Sequence, residues 1–204
     1  MSATATTPAR ARHHAAPAAS RWTGTAHLVR LALRRDRVRL TVWISVLTAM
    51  MLYTPNALEL AYPDEAQRRT RVQLLQTPAG IMMGGPMFGR NDTDLGAMMA
   101  NELMLTLIVA ASILAILTVI RHTRAEEESG TAELVLASPV GRYARTTAAL
   151  LVVGAVNAVI AVTMTAAMAA SGFAVADTAA MCIGVTAVAT VFGAVAAVTA
   201  QLWR

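Results

Sequence analysis

Four stretches of this 204-residue chain, about residues 40–58, 97–120, 147–170 and 178–202, are strongly apolar and almost free of charge. At about 1.5 Å of rise per residue in a helix, a run of some 20 residues matches the roughly 30 Å hydrocarbon core of a bilayer. Inside lipid every backbone N–H and C=O must find its partner within the chain, so runs of this kind cross as helices. The reading is therefore all-α: a polytopic membrane bundle of four transmembrane helices. Composition agrees, because 56% hydrophobic and 14% charged residues, with a mean hydropathy of +0.53, leave too little polar surface for a water-soluble domain.

The charges say which way the bundle points. All 17 basic residues are arginine, and thirteen of them fall in the N-terminal segment, the central loop and the C terminus, against four (68, 69, 71 and 90) on the other side. Arginine marks the cytoplasmic side, which puts the N terminus inside the cell in a multi-pass plasma-membrane protein. The same distribution argues against a nucleic-acid partner, since the excess flanks apolar runs rather than forming a basic face. A chain without lysine cannot supply a Walker A loop or a lysine Schiff base. The single Cys182 lies inside an apolar run, which excludes an internal disulfide and a thiolate metal cluster.

In chain order, residues 1–21 are rich in Ala, Thr, Ser and Pro and read as a disordered cytoplasmic tail, ahead of a membrane domain over 22–204. His13 and His14 are an adjacent pair with no further ligands, which is not a metal site. An acid-free, Arg-bearing start also suits a transit peptide, and Arg34-Arg35 a twin-arginine signal, but three more apolar runs follow the first. Residues 22–39 place Leu28, Val29, Leu31, Leu33 and Val38 among arginines, which suits a helix lying on the cytoplasmic lipid surface. The plain alternative is a basic flank that fixes orientation.

After the first span, which holds Pro55 in its last turn, comes an outer loop over 59–96. Its first half reads as a helix beginning around Tyr62-Pro63-Asp64-Glu65, with Pro in the first turn, and stopped by Pro78. Its second half carries Met82, Met83 and Met87 among glycines, which suits adaptable apolar packing or a greasy lid better than a soft-metal site. Glu102 is the one acid in the second span and lies near its outer end, where it can bend outward to water. The third and fourth spans hold pairs of small residues, Gly154 with Ala158 and Ala189 with Gly193, which permit close helix approach or reflect an alanine-rich composition. Residues 171–177 form a tight hairpin, and Trp203 and Arg204 an interfacial anchor.

Between the second and third spans lies the charged segment 121–146, RHTRAEEESGTAELVLASPVGRYART. Gly130 is placed to end the helix leaving the membrane, Thr131 to Ser138 makes about two turns of a short cytoplasmic helix, and Pro139 and Gly141 end it. Such a helix between two membrane spans works as a lever if a partner pushes it, and as a solvated loop if none does.

The run Arg121, Arg124, Glu126, Glu127, Gly130, Glu133, Leu134, Pro139, Val140 and Arg142 resembles the cytoplasmic loop of type-2 ABC exporter permeases. More narrowly, residues 22–202 are similar to actinobacterial permeases associated with export of polyketide antibiotics and other drugs. The resemblance implies a transmembrane subunit without ATPase activity of its own. It implies an ABC ATPase partner that carries ATP and magnesium, and a second permease half or second copy. It assigns Glu126, Glu127, Gly130, Glu133, Leu134 and Pro139 to coupling with that partner, and Arg121, Arg124, Arg142 and Arg145 to anchoring the loop at the lipid surface. No cofactor or metal is implied in this chain. Permeases of this kind usually have six spans per half, so a four-span chain reads as a partial or truncated one. Two other classes stand beside this reading: a membrane scaffold that binds partners without transport, and an intramembrane enzyme. The second needs paired acids, a His-Glu-x2-His helix or a nucleophile with its base inside the bilayer, and Glu102 has no such companion in its span.

Overall fold

The computed structural model describes residues 22–87, 93–128 and 144–202, with the side chains of 124–128 excepted, and every element among them is helical. The elements are α1 (Thr25–Arg35), α2 (Arg37–Ala61), α3 (Glu65–Leu75), α4 (Pro78–Gly84), α5 (Leu95–Glu128), α6 (Ala144–Ala170) and α7 (Val175–Leu202). Four helical stretches are long and apolar enough to cross a bilayer: Arg37–Ala61, Leu95–Thr123, Ala144–Ala170 and Val175–Leu202. Their 25 to 29 residues exceed the hydrocarbon thickness at the helical rise, leaving a turn or more for the interfaces. The described residues form a four-span helical membrane bundle.

Each span buries one stripe and exposes the rest. On α2 the buried side chains are Leu40, Leu47, Met51, Thr54, Pro55 and Leu58, at intervals of three, four or seven residues apart from the adjacent Thr54 and Pro55. On α6 the stripe runs from Ala148 through Val152, Val156 and Ile160 to Met164 and Met168. The opposite faces carry exposed Val42, Val46, Leu105, Val109, Ile113, Ile183, Val191 and Val195, which in water would be a large unsolvated surface and in a bilayer meet acyl chains. The most extensive contacts are those of α7 with α5 and with α6, and α6 also touches α1, α2 and α5.

Polar groups in the spans are used between helices. Asn157, midway along α6 and 4% exposed, donates to Thr190 Oγ1 at 2.8 Å and to the Thr186 carbonyl at 3.4 Å on α7. Thr48 Oγ1 on α2 donates to Thr163 Oγ1 on α6 at 3.2 Å. Bonds of this sort contribute about 0.6 kcal/mol each on average in membrane bundles. Pro55 removes one α2 backbone bond, yet the helix continues to Ala61. Thr54 Oγ1 and Asn56 Nδ2 donate to the Met50 and Leu52 carbonyls there.

Element ends differ from those read in the sequence. The interfacial helix is α1 alone: the chain bends at Asp36 (φ −96°, ψ 9°), and Arg37–Arg39 form the first turn of the first span instead. Pro63 lies before α3, whose flanking residue is Asp64 and whose first-turn acid is Glu65. Pro78 starts a helix as well as following one, because Thr77 caps α4 by accepting the Gly80 N–H and proline has no N–H to lose at a first position. Gly80 must be glycine here: a Cβ would strike the Leu74 carbonyl oxygen and the Leu75 backbone, which no rotamer change can relieve. The helix of the second span runs past its apolar stretch to Glu128, two residues before Gly130, and the fourth begins at Val175, so the hairpin between the third and fourth spans shrinks to 171–174. The tail 1–21, with His13 and His14, lies outside the described residues, as do Trp203 and Arg204.

Cys182 has no exposed surface. A water-soluble maleimide is therefore expected to leave the folded protein unmodified and to add one label after denaturation in dodecyl sulfate, read as a mass shift. Labelling of the folded protein at the rate of a free thiol would mean that the helix contacts around Cys182 open.

Candidate functional site

A polar cluster gathers on the arginine-rich side where the α1–α2 bend meets the ends of α5 and α6. Asp36 sits at the bend between α1 and α2, its N–H bonded to the Ala32 carbonyl at 3.0 Å and its carbonyl accepting from Leu40 at 2.9 Å. The bend turns its carboxylate inward, where the side chain is 3% exposed. An acid at this point also faces the positive end of the α2 dipole. Arg121 Nε lies 2.9 Å from Asp36 Oδ1, and His122 Nε2 lies 3.0 Å from Oδ2. Consecutive residues near this end of the second span thus sit against the two oxygens of one carboxylate. His122 is nearly as buried as Asp36, while Arg121 keeps 44% of its side chain in solvent.

A second tie lies beside it. Arg145, in the first turn of α6, donates through Nη2 to the Thr123 carbonyl at 3.1 Å. The two ends of the intervening segment, Thr123 and Arg145, are thereby held together at its root. Ala144, Ala148 and Ala149 are buried on the same end of α6, and these small side chains let α1 lie close across it. Leu28, Leu31, Ala32 and Arg35 of α1 line a small cavity with His122, Arg145, Ala148 and Ala149. The interfacial helix, the second span and the third span therefore share one joint, and the 124–143 segment grows out of it.

Of the residues expected at this site, Arg121 and Arg145 are brought together with the joint, each against a protein group rather than lipid alone. Arg124, Glu126 and Glu127 belong to the helical backbone of α5. Gly130, Glu133, Leu134, Pro139 and Arg142 lie outside the described residues. Asp36 was not singled out in the sequence. The one signal that could have found it is an acid among five arginines, a position with no reason to be acidic unless a cation is supplied from elsewhere in the chain.

At the other end of the bundle, Glu102 does not simply bend to water. Its Oε2 accepts from Arg71 Nη2 of α3 at 2.8 Å, with about half of the Glu102 side chain still exposed. Arg71 also lies over the Tyr62 ring, 5.8 Å from its centroid. Met82 and Met83 are almost fully exposed on α4, and Asn157 with its threonine partners is committed to the α6–α7 seam rather than to an open surface.

No family model matches the chain. It is similar to a multidrug efflux system permease protein of Mycobacterium tuberculosis, with 40% identity over a 205-residue alignment that covers 99% of this chain. The chain spans about 37% of the length of that curated relative. Relatedness therefore extends over the interfacial helix, all four spans and the segment between the second and third, in line with the resemblance to ABC exporter permeases carried by residues 121–142.

Proposed function

We propose that this chain, a relative of efflux permeases along its whole length, is the membrane-embedded permease part of an ATP-driven exporter of hydrophobic small molecules such as antibiotics. The observation that carries this reading is the joint of Asp36, Arg121, His122, Thr123 and Arg145. It roots the 124–143 segment in three membrane elements at once, which is what a segment pushed by a motor requires and what a passive loop does not. The motor is a separate ABC ATPase, which holds the ATP and magnesium and docks on Glu126, Glu127, Gly130, Glu133, Leu134 and Pro139. Arg121, Arg124, Arg142 and Arg145 flank that surface and fix its height at the lipid headgroups. The N terminus, the docking segment and the C terminus are cytoplasmic, following the thirteen-to-four division of arginines. A second permease half or a second copy completes the pathway.

The test is recovery of an ATPase with the tagged, membrane-extracted protein, comparing the parent with a variant in which Glu126, Glu127 and Glu133 are all replaced by Ala. At least a tenfold drop in recovered ATPase is expected, with the amount of permease in the membrane unchanged. Equal recovery from both, or none from either, would overturn the docking assignment and favour a scaffold that moves nothing.

A further inference from the structure

Residues 77–87, TPAGIMMGGPM, contain no charged side chain, although they belong to a connection between two spans that would ordinarily meet water. Their large side chains are the wrong ones for water: Met82 is 89% exposed, Met83 88% and Ile81 45%. An apolar surface this open calls for a cover.

Depth along α5 identifies the cover. Arg121, with 44% of its side chain exposed, marks the lipid surface at the arginine-rich end of that helix. A hydrocarbon layer of roughly 30 Å takes up about 20 helical residues, so its far edge, counted from Arg121, falls near Glu102. The Arg71–Glu102 pair at 2.8 Å agrees, since two partly exposed charges belong at such a boundary. The segment that holds α4 reaches past this level. Met83, Gly84 and Met87 share a cleft of about 450 Å³ with Leu105 and Thr106. Those two follow Glu102 by three and four residues, which sets them about 5 Å inside the edge. Leu105 and Val109 are both exposed and continue down α5 as a surface that meets acyl chains. The methionines of α4 adjoin that surface.

The backbone of α4 suits the same surroundings, where an unpaired N–H is costly. Pro78 has no N–H, Gly80 donates to Thr77 Oγ1 at 3.1 Å, and Ile81 donates to the Thr77 carbonyl at 2.9 Å. Gly85 donates back to the Ile81 carbonyl at 2.9 Å, and the Thr77 hydroxyl donates to the Leu74 carbonyl at 2.7 Å. The turn out of α3 and the helix after it thus keep these polar groups inside the chain.

We propose that α4 is embedded in the lipid leaflet at the end of the bundle away from Asp36, with Met82 and Met83 seated among the first acyl carbons. The Arg71–Glu102 pair sets the height of the hairpin at the headgroups, and α4 dips below it. Unbranched methionine side chains adapt to the changing shapes of lipid chains. Water and a second protein surface are the other possible covers. The proposal goes beyond the export reading and does not depend on it, since it involves neither cargo nor ATPase.

The test places a nitroxide at Met82→Cys or Met83→Cys, in a Cys182→Ala background, with the whole chain in phosphatidylcholine bilayers. Both positions are nearly fully exposed, so the label displaces no packed side chain. Val109→Cys supplies the lipid reference, and Gln73→Cys, exposed on the polar helix α3, the aqueous one. Power saturation reads collisions with oxygen, which concentrates among acyl chains, and with a neutral nickel chelate, which stays in water. The oxygen-to-nickel collision ratio at 82 and 83 is expected to lie within about threefold of that at 109 and about tenfold above that at 73. A ratio matching position 73 would overturn the proposal in favour of a hydrated lid. Few collisions with either reagent would overturn it in favour of a protein cover, such as a second copy.

Discussion

Replacing Asp36 with Ala is expected to destabilise the protein by about 2 kcal/mol, more than any other single change at a described charged residue. The figure comes from weighing two limits. Removing one partner of a fully buried ion pair costs about 3–5 kcal/mol because the other charge is left without water or partner, whereas exposed pairs contribute about 0–1 kcal/mol. The Asp36 side chain is 3% exposed, which pulls toward the first limit, but Arg121 is 44% exposed and can turn to solvent or headgroups, which pulls toward the second. In a thermal melt of the purified protein in detergent the midpoint should fall by roughly 4–8 °C. Asp36→Asn keeps the shape and one acceptor oxygen and should lose about half as much. Arg34→Ala, an exposed arginine two residues away, should stay within about 0.5 kcal/mol of the parent. An Asp36→Ala protein that melts within about 1 °C of the parent would mean that the joint contributes nothing.

The four spans were legible because the signal is one of length and hydropathy, and both are set by the bilayer. Their ends were less so. Hydropathy marks where lipid begins, but a helix starts and stops where its hydrogen bonds are capped, so the fourth span's helix begins at Val175, ahead of the apolar run read from 178. Pro63 and Pro78 were each given a role one boundary away from the one they occupy, since the same residue can precede a helix, begin one or follow one, and only the capping group decides.

The joint was half legible for a different reason. Arg121 and Arg145 stood out from their place beside the apolar runs, but Asp36 finds its partners far along the chain, and no periodicity within α1 or α2 announces them. Glu102 was conspicuous as an acid in a span, yet its partner Arg71 comes from α3, 31 residues earlier. Long-range ion pairs are decided by how helices pack, and four nearly featureless apolar helices leave many packings open.

Substituting Gly193 with Leu is expected to cost about 3 kcal/mol, and the comparison with Gly154 makes the result interpretable. In sequence the two glycines look alike, each one turn from an alanine in an alanine-rich span. In the bundle they do opposite things. A Cβ on Gly193 would come within 3.1 Å of Val153 Cγ1 on α6 and 3.4 Å of the Ala115 Cβ on α5, so a Leu there must push α7 off both neighbours. Ala189, one turn earlier, is fully buried, and Ala115, Val119, Val153, Ala196 and Ala197 form one buried cluster across the three helices. Val153 is β-branched and stiff at χ1, which leaves it little room to yield. Since α7 makes its most extensive contacts with these two helices, the strain is shared by the whole seam, and the thermal midpoint should fall by roughly 6–12 °C. A Cβ on Gly154 meets nothing within 4 Å, and Ala158 is exposed beside it. Gly154→Leu should therefore leave stability unchanged or raise it by up to about 1 kcal/mol through helix propensity. Measuring the oligomeric state of both variants separates a seam within the chain from one between copies. The reverse pattern, with Gly154→Leu dispersing an oligomer and Gly193→Leu without effect, would show that the small residues serve a second molecule and that the α5–α6–α7 packing described here does not govern stability.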